Sequence, residues 1–175
     1  MAKLRKMLCK LDDPSIMALM DLIQTQSKKT LAQWSIDYAQ DHFLCIYEKA
    51  FPGNTELREA IAAAQDFLAG RRPLKEVKPF LKNANEIARN CGDVPAAQAA
   101  ARAVATACAV IQTPTSALGH TFYGVAAVVY DREGLDQTPE FYDAQAAEEF
   151  KKILASLRAA AVPDETNPVK IQWNC

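Results

Sequence analysis

Apolar positions along the chain recur mostly at intervals of three and four residues. Ile16, Leu19, Met20 and Ile23 form one such stripe, and Tyr142, Ala146, Phe150, Ile153 and Leu157 form another. This spacing places side chains on one face of an α-helix. Seven helical runs follow: about residues 14–26, 28–51, 55–69, 74–90, 95–112, 114–132 and 139–161. Residues 124–130 read as a strand in isolation, but Leu118, Phe122, Val125 and Val129 carry a helical stripe straight through them. Residues 162–175 contain two prolines and are expected to be extended, with Ile171 and Trp173, part of the apolar alternation Val169, Ile171, Trp173, docking on the body of the protein.

Proline and glycine set the boundaries. Pro14, Pro73, Pro95, Pro114 and Pro139 each precede a helical run, and proline at the first helical position costs no hydrogen bond. Asp13, Thr113 and Thr138 stand where a side-chain oxygen caps the helix that follows. Pro79 lies inside the fourth run, which predicts a late start or a kink there. Short connections between the runs imply mostly antiparallel neighbours. The expected fold is all-α: a single-domain irregular bundle of about seven helices spanning 1–175, with an extended C-terminal tail.

Composition sharpens this. Alanine supplies 31 of 175 residues, nine of them between Pro95 and Ala109, so the fifth run has no polar face and belongs at the centre. The second run carries two adjacent apolar stripes and needs cover on two sides. The most weakly charged stretch, Val94 to Tyr130, is interrupted by Gln98, Arg102 and Pro114 and fits a buried hairpin better than a membrane span. The N-terminal residues lack the apolar core of a secretory signal. Five scattered cysteines, with no CxxC pair, suit free thiols in a reducing cytoplasm.

Total charge is nearly balanced, 20 basic residues against 21 acidic, which argues against nucleic-acid binding. Locally it is not balanced. Residues 71–89 carry six basic and two acidic groups; residues 131–149 carry seven acidic and one basic. The acidic segment surrounds Phe141 and Tyr142. Tyr142 heads the inward stripe of the last helix, so Phe141 is the candidate exposed anchor. Asp136, Glu140, Phe141 and Asp143 are the candidate partner-binding residues, set against the bland reading of a solvated acidic face.

Chemistry-bearing patterns are sparse. None of the phosphate-loop, dinucleotide, zinc-protease or nucleophile-elbow motifs occurs, so no catalytic, cofactor-binding or metal-binding residue is assigned. Asp37, Asp41 and Glu48 share a face of the second helix, but the ExxH spacing of di-iron bundles is missing. His42 and His120 fall among aromatic and small residues, where a packed, hydrogen-bonded histidine is the ordinary outcome. A polar pocket of Arg102, His120 and Tyr123 is the sharper alternative. Arg102 either reaches solvent past short alanines or pairs with an acid from another helix.

The stretches TLAQWSIDYAQDHFLCIYEKAFPGNTELREAI, PAAQAAARAVATACAVIQTPTSALGHTFYGVAAVVYDREG and NPVKIQWNC resemble a bacterial family of putative immunity proteins of polymorphic toxin systems. Trp34, Tyr47, Glu48, Arg58, Ala60, the alanine-rich fifth helix and Tyr123 carry the likeness. The resemblance implies an all-helical cytoplasmic protein that binds a toxin and blocks it without catalysing a reaction. It identifies no cofactor. The competing readings are a small-molecule-binding bundle or enzyme built around the Arg102, His120 and Tyr123 pocket, and a homo-oligomer joined through an alanine-rich face.

Overall fold

The computed structural model describes residues 4–174 and contains eight α-helices among them: α1 Pro14–Ile23, α2 Lys28–His42, α3 Leu44–Ala50, α4 Glu56–Leu68, α5 Leu74–Asn90, α6 Pro95–Ala109, α7 Ser116–Glu133 and α8 Pro139–Ala160. No strand occurs among the described residues. The seven predicted runs are all helical. The run 28–51 is interrupted at Phe43, which gives the eighth element.

The interruption has a packing cause. The Phe43 ring is 1 % exposed and lies directly on the backbone of Gly124 in α7. The bend there leaves both α2 and α3 packed on α6, but one of the two apolar stripes leaves the core at its end: His42 and Cys45 are exposed, so His42 is not the packed histidine that the pattern suggested.

Local signals account for most helix ends. Asp13 Oδ1 accepts from the Ser15 N–H at 2.9 Å and Thr138 Oγ1 from the Phe141 N–H at 3.2 Å. Both are the expected N-terminal caps. Thr113 is not one: α7 begins two residues later than predicted, after a turn, and Thr115 precedes it without a side-chain bond. The helix α5 runs through Pro79 from Leu74. Gly134 ends α7 with φ of 78°, a left-handed conformation open to glycine. Tyr142 pins the turn that follows, its hydroxyl donating to the Gly134 carbonyl at 2.8 Å and accepting from the Gln137 N–H at 3.1 Å.

The alanine-rich α6 is the central element, packed against α2, α3, α4, α5 and α7. Its buried alanines and Gly119 and Gly124 on α7 let these helices approach closely. The whole predicted stripe of α8, Tyr142 through Leu157, is buried. Trp34 ties α2 to α8 through an indole bond to Ser156 Oγ at 2.9 Å.

Both chain ends are tied down. Tyr130 donates to the Arg5 carbonyl at 2.7 Å, which holds the N-terminal segment on α7. The buried Gln26 amide brackets Val162, just beyond α8: Oε1 accepts from the Val162 N–H at 2.7 Å and Nε2 donates to its carbonyl at 3.1 Å. The tail then runs back along α1, with the Val169 N–H donating to the Gln26 carbonyl at 2.9 Å. As expected, Ile171 and Trp173 lack secondary structure and are half-buried against the core. Cys9, Cys45, Cys91 and Cys108 are free thiols; Cys175 lies outside the described residues.

Candidate interaction surface

The acidic segment surrounds the turn between α7 and α8, and local and tertiary ion pairs together neutralise most of it. Lys49 from α3 pairs with Asp131, Arg132 with Glu133, Arg5 with Asp143, Lys151 with Glu148, and both Arg132 and Lys152 with Glu149. Five of the seven carboxylates are therefore engaged. Asp136 and Glu140 are exposed and belong to no ion pair among the described residues.

The other two candidates in this segment differ from the sequence expectation. Phe141 is half-buried, edge-on to Tyr142, and is not a free aromatic anchor. Asp143 is a structural clamp: Oδ1 accepts from Arg5 Nη2 and from the Cys9 N–H, each at 2.8 Å, and Oδ2 accepts from Arg5 Nη1 at 3.3 Å. Burial pushes the Asp143 carboxyl up, but these donors outweigh it and hold it below the usual range.

Next to this edge, α2, α3, α7 and α8 enclose a cleft of about 510 Å³. Tyr38 and Val128 are among its apolar lining; Asp131, Arg132, Glu149 and Lys152 supply its charges. Glu149 is 6 % exposed and accepts from Arg132 at 2.8 Å and Lys152 at 2.9 Å. Burial raises its carboxyl, and these two cations more than reverse that. Burial, aided by the Glu149 carboxylate, pushes the Tyr38 hydroxyl up to about 12, so it stays protonated and able to donate. His42 stacks on Tyr38 with ring centroids 4.2 Å apart. Cys45 also lines the cleft, but the hydrogen-bond partner of its thiol is the His42 carbonyl, at 3.8 Å, and not a basic side chain. Among the described residues, no group of three His, Cys, Asp or Glu side chains can hold a metal ion. The cleft is thus equipped to receive a side chain or a small molecule, with its charges already paired.

The Arg102, His120 and Tyr123 trio does not line this cleft. His120 is fully buried, its Nδ1 3.3 Å from the Ser116 carbonyl, and it meets the Trp34 ring edge-on at 5.2 Å. Burial lowers its pKa to about 4 despite the Ser116 contact, so the ring is neutral. Arg102 is half-buried and makes no ion pair among the described residues, which is the solvent-reaching arrangement. Sequence reasoning missed the cleft because its walls come from segments about 90 to 120 residues apart. The apolar stripes of α2 and α8 were legible, but not that their edges meet.

A match over residues 21–158, most of the chain, is to the Imm-5 like putative immunity protein family. The chain belongs to this family. Neither a curated protein nor a solved structure gives a match. The matched stretch of this immunity-family chain covers the cleft, the α7–α8 turn and the central α6. Among the described residues, no helix is long and apolar enough to cross a membrane.

Proposed function

We propose that this chain is an immunity-type binding protein that neutralises a toxin in the bacterial cytoplasm by non-covalent occlusion. Membership of the immunity family carries this reading. On it, the contact edge is the α7–α8 turn, where Asp136 and Glu140 are the carboxylates left free to meet a basic partner surface. Phe141 lies half-covered between them and the core. Asp143 contributes by holding the N-terminal segment beside that edge. No reaction is required: occlusion needs a preformed surface, and four helices and two clamped termini supply one. The small-molecule reading attaches to the cleft, whose size falls in the range of ligand pockets.

The test begins by capturing the partner from the native cell, followed by reconstitution of the two purified proteins and an assay of toxin activity. A stoichiometric complex that abolishes toxicity is expected. Replacing Asp136 and Glu140 with lysine should slow association and reduce its salt dependence while the fold persists. A partner that binds without losing its toxicity would refute neutralisation. Unchanged association at low salt would remove the acidic edge from the interface.

A further inference from the structure

Six large hydrophobic residues are exposed among the described residues, and three of them, Met7, Leu11 and Met17, stand within one short stretch. Met17, the most open at 53 %, belongs to α1. Together with Leu11, Met20 and Trp173 it lines a groove of about 410 Å³ between the N-terminal segment, α1 and the C-terminal tail. Met17, Met20 and Asp21 on α1 and Gln24 at its C-terminal end follow one another at helical spacing along one face. Asp12 and Asp21 stand on the rim. Both are exposed, neither belongs to an ion pair among the described residues, and no cation lines the groove.

The groove also joins the acidic edge. A neighbouring depression of about 330 Å³ shares Asp12 with it and reaches Asp143 and Ala147 on α8, with Lys10 as its one cation. Apart from Asp21 and Gln24, the residues lining the groove lie outside the stretch matched by the family. The groove is therefore built mainly by residues outside the matched stretch.

We propose that this groove is a docking site for a cationic amphipathic helix of a protein partner. The inference rests on the reading that the chain acts by binding a protein. The apolar face of such a helix would cover Leu11, Met17, Met20 and Trp173. Its lysine and arginine side chains would reach Asp12 and Asp21. Two observations select this chemistry. Flexible methionine side chains adapt to an incoming apolar face, and unpaired carboxylates at an apolar rim favour a cation there and disfavour an acid.

The test uses the purified chain and a helical peptide built of leucine and lysine, with a leucine–glutamate peptide as the control. Trp173 reports occupancy through its emission, because Trp34 is already buried against Ser156. Saturable binding with a blue shift is expected for the leucine–lysine peptide, with none for the control. Met17→Glu, and separately Asp12→Lys with Asp21→Lys, should each weaken binding at least tenfold. Asp37→Lys with Asp41→Lys on α2 should not. All of these positions are exposed, and circular dichroism confirms that each variant is folded. Failure of the wild type to bind, or equal affinity in the groove variants, overturns the proposal. So does a homodimer that Met17→Glu dissolves, since a second copy would then occupy the groove. Toxin neutralisation that survives the groove variants would leave the immunity reading standing without this groove.

Discussion

Replacing Gly124 with alanine adds one methyl group to the most crowded point of α7. A β-carbon built there would stand 2.0 Å from Phe43 Cζ and 2.2 Å from Cε2. Ordinary contact begins at 3.4 Å, so the ring would have to retreat by about 1.4 Å. It has nowhere to go: Phe43 is 1 % exposed and packs edge-on against Tyr38, with centroids 5.4 Å apart. Overpacking of this kind costs about 3 kcal/mol. Alanine recovers about 1 kcal/mol over glycine inside a helix, leaving a net loss of about 2 kcal/mol. For a chain of this length that lowers the melting temperature by about 4–8 °C. Urea unfolding followed by circular dichroism measures it. Gly119 provides the control on the same helix, because its added β-carbon would meet Thr106 Cγ2 at 3.4 Å. Gly119→Ala should be neutral or stabilising by up to about 1 kcal/mol. In a Phe43→Leu background the Gly124→Ala penalty should shrink by at least about 1 kcal/mol, the coupling expected of side chains in contact. A Gly124→Ala protein as stable as the wild type would refute the close approach, and with it the account of why α2 and α3 are separate.

Three further outcomes are expected. His120 has a folded pKa of about 4 against an ordinary 6.5, so the unfolded chain binds the extra proton first; its contribution is complete above pH 6.5 and falls by about 3 kcal/mol as the pH drops towards 4. His120→Leu should flatten the dependence of the urea midpoint on pH between about 5 and 7, where Asp143 and Glu149 remain ionised in both states, and an unchanged slope would count against a buried neutral ring. Asp143→Ala strands the Cys9 N–H and leaves the Arg5 side chain with only its bond to the Pro139 carbonyl, costing about 1–3 kcal/mol and speeding hydrogen exchange in the N-terminal segment; unchanged protection there would refute the clamp. Cys45 is exposed, whereas Cys108 is fully buried with a pKa pushed up to about 12, so a thiol reagent should modify Cys45 in the native protein and Cys108 only on unfolding.

Helices were legible in the linear pattern because their determinants are local. Apolar spacing, Pro14, Pro95 and Pro139 at the first helical position, Asp13 and Thr138 as caps and Gly134 as a stop all act within a few residues, and each does so in the folded protein. Alanine content likewise placed α6 at the centre, since a helix without a polar face must be covered on every side. Charge was different. The acid-rich segment did not reveal how many of its carboxylates are free, because their neutralising partners include Arg5 and Lys49, 138 and 82 residues away along the chain. The break at Phe43 depends on Gly124, the cleft on the meeting of α2 with α8, and the apolar groove on both termini reaching α1. An ion pair or a groove wall exists only when two distant segments are brought within a few ångströms, and no periodicity within either segment encodes that distance. Local sequence therefore determined which segments are helical and which faces are apolar, while the tertiary structure alone decided which of the charged and apolar groups are left for a partner.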